Sequence, residues 1–217
     1  MLHLDNISIK IGAKQLLNGV IASVYPGDLI LVRGQNGAGK STLFQALAGM
    51  HALEGRLILD GIDISSHPPH QRALWIGRLH QDPFLSCVAS LTVEQNLRLA
   101  ATKGRKPGWR QRSLLRCETW LESLLARRMN DLSGGQRQLV AFTMALQIKP
   151  RLLLLDEPTA ALDDAATQQL LASIIAAQQQ GIAILMITHN PALFALGTQT
   201  WWIEERRLKV EKNRPTL

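Results

Sequence analysis

A glycine-rich stretch, GQNGAGKST, occupies residues 34–42 and limits the possible fold more than any other feature of the chain. It follows a short apolar run at 28–33 and precedes a helical pattern at 40–48. Glycine clusters cost backbone entropy, so the stretch needs a compensating role. The spacing G-x-x-x-x-G-K-S is typical of a loop whose backbone N–H groups bind phosphate. The predicted phosphate contacts are Gly34, Gln35, Asn36, Gly37, Ala38, Gly39, Lys40, Ser41 and Thr42.

Two side chains of this loop suit a magnesium-bound nucleotide. Lys40 can reach the β- and γ-phosphates, and the Ser41 hydroxyl can bind Mg²⁺. The helix that begins near Lys40 adds the partial positive charge of its N-terminus. The alternative is a glycine-rich turn that only joins a strand to a helix. The order strand, loop, helix favours the nucleotide.

Cleavage of a nucleotide also needs a carboxylate near the metal and a group that orients water. The four leucines at 152–155 predict a buried strand, and Asp156 and Glu157 follow it. Ligands of open α/β sheets bind at this end of the strands. Asp156 would hold the metal through its bound water, and Glu157 would act as the base. The alternative is a strand that ends in two acids because it reaches solvent.

Two further polar residues follow predicted strands. His189 comes after the apolar run 182–187, a position that predicts contact with the γ-phosphate. Gln81 comes after the strand-like run 73–79 and could complete the Mg²⁺ shell. A lone histidine is more often a surface residue, and a lone glutamine carries no weight without the other sites.

A second glycine-bearing helix start lies at LSGGQ, residues 132–136, ahead of a helix that runs through Ala145. One triphosphate does not need two such anion-binding helix starts. The second start therefore predicts that two copies of the chain share each ATP, between residues 34–42 of one copy and 133–136 of the other. The residues predicted to contact the partner's nucleotide are Ser133, Gly134, Gly135 and Gln136.

The alternation of strands and helices predicts a mainly parallel sheet covered by helices. Residues 84–131 instead read as helical, with a capping box between Thr92 and Gln95. Other predicted elements are strands at 2–9 and 20–24, hairpins at 55–64 and 201–210, and a helix at 112–126.

Taken in order, these motifs resemble those of the nucleotide-binding subunit of ATP-binding cassette (ABC) transporters over essentially the whole chain. GQNGAGKS resembles the Walker A motif, LSGGQ the family signature and LLLLDE the Walker B motif. Gln81 is similar to the Q-loop glutamine, residues 161–163 to the D-loop and His189 to the switch histidine. The resemblance implies catalytic roles for Glu157, His189 and Gln81, and a nucleotide contact for Asp163.

The resemblance also implies the fold, the cofactors and the partners. The fold would be an α/β P-loop NTPase core with a parallel sheet flanked by helices, a small N-terminal antiparallel β subdomain and a helical insert at 84–131, all in one ABC ATPase domain over 1–217. The ligands would be ATP and Mg²⁺, the latter at Ser41, Gln81 and Asp156. The partners would be an integral membrane permease and a second copy of the chain.

Some features depart from the family pattern. Ile11 stands where an aromatic residue usually stacks on adenine, so the base would pack on aliphatic surface. The last hairpin lacks its usual glycine. The segments at 80–84, 92–97 and 132–138 resemble a branch of bacterial importers that work with a periplasmic binding protein, although Pro158 is unusual for that branch.

The composition argues against a disulfide-rich protein and against a membrane-spanning one. Cys87 and Cys117 are the only cysteines, which indicates a reducing compartment without a disulfide framework. No apolar run approaches the roughly 18 residues of a spanning helix, so we expect a soluble chain on the inner face of the cytoplasmic membrane. The net charge of +7 is compatible with nucleic acid, an anionic membrane surface or an anionic ligand, and equally with a basic surface kept for solubility. The basic tract 103–112 fits anionic lipid loosely and a solvated loop better.

Two other functions compete with transport. An ATPase that acts on nucleic acid or the ribosome is one, but relatives of that kind carry a long coiled-coil insertion or two cassettes. This chain has about fifty residues between Gln81 and the signature, and one cassette. A nucleotide sensor without hydrolysis is the other, and Glu157 and His189 argue against it. No nucleic acid is expected as a partner.

Overall fold

Two β-sheets frame the molecule, which the computed structural model describes over residues 1–102, 119–160 and 162–213. The strands are β1 (Leu2–Ile11), β2 (Lys14–Val24), β3 (Leu29–Gly34), β4 (Glu54–Leu59), β5 (Ile62–Asp63), β6 (Ile76–Leu79), β7 (Leu152–Asp156), β8 (Ala183–Ile187), β9 (Gln199–Glu204) and β10 (Arg207–Lys212). The helices are α1 (Lys40–Leu47), α2 (Pro69–Arg72), α3 (Val93–Thr102), α4 (Thr119–Glu122), α5 (Gly134–Leu146) and α6 (Asp164–Gln179).

The smaller sheet is antiparallel and has the order β2-β1-β4-β5. Its last hairpin turns at Asp60 and Gly61, whose φ angles are 49° and 82°. Two successive left-handed residues of the Asp-Gly type are the signature of a tight hairpin turn. The predicted hairpin and the N-terminal antiparallel sheet are therefore confirmed.

The larger sheet has the order β10-β9-β3-β8-β7-β6. Every neighbouring pair is parallel except β9 and β10, which form an antiparallel hairpin at one edge. The carboxyl ends of β3, β8, β7 and β6 therefore lie side by side along one edge of the sheet. The prediction of a mainly parallel sheet is confirmed, and the edge identifies where a ligand would bind.

The parallel sheet separates two hydrophobic cores. Ile30 and Val32 of β3 lie in the core that includes α1 and the smaller sheet. Leu29 and Leu31 belong to the opposite core, with residues of α5 and α6. Successive residues of a strand point to opposite faces, and both faces are buried here. This explains why the strand sequences are continuous apolar runs instead of alternating ones.

A third, smaller core joins α3 and α4 to α5. The predicted capping box at the start of α3 is confirmed, because the Gln95 amide donates to Thr92 Oγ1 at 3.2 Å and the Thr92 amide to Gln95 Oε1 at 2.9 Å. This core contains Val93, Leu97, Ala100, Leu121, Leu124 and Met129 of the segment predicted as a helical insert. The treatment of 84–131 as a subdomain stays a prediction.

Some element boundaries differ from the sequence predictions. The strand predicted from residue 73 begins only at Ile76, because Pro69 starts the short helix α2 before it. Of the helix predicted at 112–126, the described part is helical over Thr119–Glu122 and then turns. The basic tract 103–112, which includes Trp109, lies outside the described residues, as does Cys117.

The C-terminal hairpin forms without glycine. Its turn residues Glu205 and Arg206 both take left-handed conformations, with φ of 49° and 63°. Each costs about 1 kcal/mol relative to an ordinary backbone. The Arg206 carbonyl accepts a bond from the Asn18 amide at 2.8 Å, which ties the turn to β2.

Among the described helices, none combines the length and the apolar character that a bilayer crossing requires.

Candidate functional site

The loop after β3 needs its glycines for backbone reasons. Gly34, Gly37 and Gly39 have φ angles of 149°, 79° and 104°, where side chains are strained. A Cβ on Gly34 would also lie 2.5 Å from the Ile203 carbonyl oxygen of the neighbouring strand. These conformations turn the chain from β3 into α1 and leave the loop backbone open to an anion.

The N-terminus of α1 has no side-chain cap. Gly39 is its N-cap residue and offers no acceptor to the first N–H groups of the helix. Lys40 is only 8% exposed, and its Nζ donates to the carbonyls of Gly34 at 2.8 Å and Gln35 at 3.1 Å. The helix start thus combines unsatisfied N–H donors with a positive charge, which is the arrangement that binds phosphate.

The C-terminal end of α1 is held by a buried arginine that the sequence did not reveal. Arg72 is 2% exposed and donates from Nη1 to Ala46 O at 2.7 Å and Leu47 O at 3.0 Å. Its Nε and Nη2 donate to the carbonyls of His67 and Ser65. Burial lowers the pKa of this guanidinium, and a cation at this end of a helix stabilises the helix dipole.

The two carboxylates lie where β7 ends. Asp156 is the last residue of the strand and pairs in register with Ile187 of β8. Glu157 follows in a left-handed conformation, with φ of 48°, and its amide donates to Ile187 O at 3.0 Å. A non-glycine residue held in this region is strained, and such strain is concentrated at functional sites.

Glu157 meets His189 directly. Glu157 Oε1 lies 3.4 Å from His189 Nε2, and the His189 amide donates to Glu157 Oε2 at 3.4 Å. His189 therefore restrains both carboxylate oxygens of Glu157. It can do so because β8 pairs with β7 and the two strands end side by side. The Glu157 side chain is 18% exposed and that of His189 is 62% exposed, so the pair faces solvent on the histidine side.

A cleft of about 350 Å³ gathers most of the predicted site residues. One wall of the cleft is the loop after β3, and the other wall is formed by residues at the carboxyl ends of β6, β7 and β8. The lining residues are Leu16, Asn36, Gly37, Gly39, Lys40, Ser41, Thr42, Gln81, Asp156, Glu157, Ile187 and His189. The structure thus places the predicted metal-binding residues and the predicted catalytic residues together with the phosphate-binding loop.

The remaining loop residues lie beside this cleft. Gln35 and Ala38 line a second cavity of about 440 Å³, which shares Leu16, Asn36 and Gly37 with the first. Its far wall is formed by residues 203–206 of the C-terminal hairpin. Ile11, at the position usual for an aromatic residue, is 43% exposed and lines neither cavity.

The signature segment lies outside this cleft. Ser133 is the N-cap of α5, and Ser133 Oγ accepts from the Gln136 amide at 3.2 Å while Gln136 Oε1 accepts from the Ser133 amide at 3.1 Å. A Cβ on Gly135 would lie 2.7 Å from Ala166 Cβ, so glycine permits close packing of α5 on α6. Of the described residues, none of 133–136 lines the cleft of its own chain.

Asp163 is also placed away from the cleft. It is the N-cap of α6, and its carboxylate accepts from the Ala166 amide at 2.8 Å. Ala161, the first residue of the predicted D-loop, lies outside the described residues. Asp163 and the signature therefore occupy neighbouring helix starts, separate from the phosphate-binding loop of the same chain.

A partly buried cation lies behind the carboxylates. Burial lowers the pKa of Arg78, and the negative charge of Asp156 acts in the opposite direction. Arg78 Nη1 also lies 2.8 Å from Met50 Sδ. The sequence analysis missed this residue, since one arginine inside a short strand pattern carries no recognisable signal.

Comparisons with known proteins agree with this arrangement. The sequence model of the family described as ABC transporter matches residues 17–160, more than half of the chain. The xylose/arabinose import ATP-binding protein XylG of Sulfolobus acidocaldarius is 31% identical over 199 residues, which cover 88% of this chain and 78% of the relative. The thiamine import ATP-binding protein ThiQ of Escherichia coli is 36% identical over 173 residues, with coverages of 77% and 73%.

The fold is shared with solved structures. An ATP-binding cassette described as a dimeric post-hydrolysis state bound to ADP and Pi superposes with a TM-score of 0.78. It is 24% identical in sequence, and the match covers 99% of each chain.

Proposed function

The chain belongs to the ABC transporter family, and from this premise we propose that two copies close head to tail on two ATP molecules and drive an integral membrane permease. One observation carries the proposal. The phosphate-binding loop shares a cleft with Asp156, Glu157 and His189, whereas the signature helix start lies outside that cleft. Each copy thus holds two complementary halves, one for its own nucleotide and one for the nucleotide of its partner.

The residues of the cleft fit a magnesium-bound triphosphate. The loop N–H groups, the α1 N-terminus and Lys40 would bind the phosphates. Ser41 and Gln81 would bind Mg²⁺ and Asp156 would hold it through a bound water, which leaves room for the further waters and phosphate oxygens that this ion prefers. When bound, Mg²⁺ neutralises charge on the β- and γ-phosphates.

Hydrolysis would use the pair of Glu157 and His189. Glu157 orients a water molecule and accepts its proton as the water oxygen bonds to the γ-phosphorus and the bond to the β-γ bridging oxygen breaks. ADP and inorganic phosphate are the products. His189 restrains both Glu157 oxygens and would contact the γ-phosphate from the adjacent strand.

The second copy would complete each site. Ser133, Gly134, Gly135 and Gln136 start α5 at the surface, and Asp163 starts α6 beside them, so both helix starts can face a nucleotide held by a partner. The cassette of the same fold that was solved as a dimer provides a precedent for such a pair, and the precedent concerns that protein alone.

The nucleoside would extend into the cavity next to the phosphate cleft. This cavity is continuous with the cleft at Leu16, Asn36 and Gly37. Leu16 offers aliphatic surface, and none of the lining residues is aromatic. The base would therefore be held by packing without ring stacking, and discrimination between ATP and GTP would be weak.

The permease would dock on the face that follows Gln81. Phe84, Leu85 and Val88 are 39%, 70% and 46% exposed, which is unusual for apolar side chains close together in sequence. Docking there would hold the chain on the inner face of the cytoplasmic membrane and connect the permease to Gln81. The two relatives named above are import proteins, which favours import with a periplasmic or extracellular substrate-binding protein.

Substitution of the base tests this proposal. Glu157→Gln should keep ATP binding but almost stop turnover, so that Mg-ATP traps a dimer in size-exclusion chromatography. Glu94→Gln is a matched control, because Glu94 pairs with Arg98 on the surface of α3. If Glu157→Gln hydrolyses ATP at nearly the wild-type rate, or stays monomeric with Mg-ATP, the proposal is wrong.

A further inference from the structure

Gln138 is a buried polar residue of α5 that none of the proposed roles uses. It is 3% exposed and lies just beyond the signature. Its Nε2 donates to Pro158 O at 3.2 Å and to His80 O at 3.4 Å. Both acceptors belong to other segments of the chain, so the side chain bridges three separate elements.

The two carbonyls adjoin the predicted catalytic residues. His80 immediately precedes Gln81, and Pro158 immediately follows Glu157. The amide nitrogen has two hydrogens, so it can satisfy both carbonyls at once. A displacement of α5 would therefore be transmitted to the backbone on one side of Gln81 and of Glu157.

The Gln138 amide is only partly satisfied where it is buried. Gln138 Oε1 is buried and has no hydrogen-bond partner among the described residues. A buried acceptor without a partner destabilises the folded state, and this cost offsets part of the stabilisation from the bonds to His80 O and Pro158 O. The chain thus retains a partly unsatisfied amide at the place where α5 meets the catalytic loops.

We propose that Gln138 is a positioning residue that couples the two nucleotide sites of the dimer. The inference rests on the proposed function, in which the α5 N-terminus faces the ATP held by the partner copy. ATP at that site would fix the position of α5, and Gln138 would transfer this position to Gln81 and Glu157 of its own site. The occupancy of one site then sets the catalytic geometry of the other.

Gln147, the C-cap residue of the same helix, provides a matched control. It is 6% exposed, its Oε1 is also without a partner among the described residues, and its Nε2 donates to Thr143 O at 3.4 Å. This bond stays within α5 and reaches no catalytic loop. Replacement of either glutamine by leucine removes one buried amide, so the two variants differ in what the amide connects.

The experiment compares Gln138→Leu with Gln147→Leu in steady-state ATPase assays over a range of ATP concentrations. Gln138→Leu should lower kcat about tenfold, the scale of residues that transmit coupling, with KM within twofold of wild type and the Hill coefficient reduced to 1. Gln147→Leu should keep both kcat and the Hill coefficient. Thermal melting should show neither variant to be strongly destabilised, and Gln138→Met replaces Gln138→Leu if the latter does not fold.

The outcomes separate this inference from the proposed function. The wild-type chain could give a Hill coefficient above 1, and Gln138→Leu could keep both that Hill coefficient and the wild-type kcat. Gln138 would then not couple the two sites, although the proposed dimer would be unaffected. Equal losses in Gln138→Leu and Gln147→Leu would also overturn the inference, because they would reflect loss of a buried amide alone. A wild-type Hill coefficient of 1 would overturn the coupling, whereas a rate per molecule that stays constant on dilution would contradict the shared sites themselves.

Discussion

The two glycine-bearing helix starts of the molecule are built in opposite ways. α1 begins after a left-handed glycine, and no side chain caps it. α5 begins at Ser133, which forms a reciprocal capping box with Gln136. The first start lies in a cleft with the carboxylates, and the second lies outside that cleft.

This difference shows how one chain can carry two unequal halves of a nucleotide site. No side chain of the described residues caps the first N–H donors of α1, so a bound phosphate would satisfy them, and the helix is anchored at its C-terminal end by Arg72. α5 is stabilised by its own cap and can keep its form without a ligand. The first start would bind nucleotide alone, and the second only when a partner presents one.

Removal of the charge at the first start should have the largest effect. Lys40→Ala should weaken ATP binding about 1000-fold, or about 4 kcal/mol, because the cationic partner of the phosphates is lost. Calorimetry with a non-hydrolysable ATP analogue measures the affinity. Lys10→Ala is the control, since Lys10 pairs with Glu54 on the surface. Unchanged affinity in Lys40→Ala would remove the distinction between the two helix starts.

Loss of the anchor at the far end of α1 should have the next largest effect. Arg72→Met should lower the free energy of unfolding by about 3 kcal/mol, because buried carbonyls of α1 lose their charged donor. Urea denaturation measures this change. Arg98→Met removes an exposed i,i+4 ion pair with Glu94 and should cost less than about 0.5 kcal/mol. Equal costs in both variants would show that α1 needs no anchor at its C-terminal end.

A bulky side chain at the second start should affect dimerisation and leave binding to the monomer intact. Ser133→Arg should weaken the ATP-dependent dimer by about 2 kcal/mol through steric overpacking. Sedimentation of the Glu157→Gln background with Mg-ATP measures dimerisation. Ser123→Arg places the same side chain on an exposed serine elsewhere. A normal dimer in the Ser133→Arg variant would contradict the role given to this helix start.

Loss of the cap alone should have the smallest effect. Ser133→Ala removes the acceptor for the Gln136 amide and should lower the free energy of unfolding by about 1 kcal/mol. Thermal melting of the ligand-free chain measures this change. No change in stability would mean that the capping box does not stabilise α5.

The sequence predicts which residues meet at the carboxyl edge of the sheet better than it predicts the local backbone contacts that hold them. Asp156, His189 and Gln81 follow apolar runs, and parallel strands bring their carboxyl ends to one edge. Their meeting in one cleft therefore follows from strand order. The left-handed conformation of Glu157 does not follow, because it depends on its bond to Ile187.

The residues whose roles could not be predicted from the sequence form hydrogen bonds with the backbone. Arg72 and Gln138 donate to carbonyls, which every residue carries, so no second side chain marks the pair in the sequence. For Gln138 the sequence carries one signal of burial: it lies four positions before the apolar Phe142, so both residues lie on the same face of the helix. The Glu205 and Arg206 turn lacks the glycine that is usual there, yet the pairing of β9 with β10 holds it.

The dependence of ATPase activity on protein concentration tests the shared site most directly. The purified chain, without a permease, would be assayed at saturating Mg-ATP over a wide dilution series. If two half-sites must come together for hydrolysis, the rate per molecule falls on dilution because the dimer dissociates. A rate per molecule that stays constant and high at every dilution would show that one copy hydrolyses ATP alone, and would contradict the account.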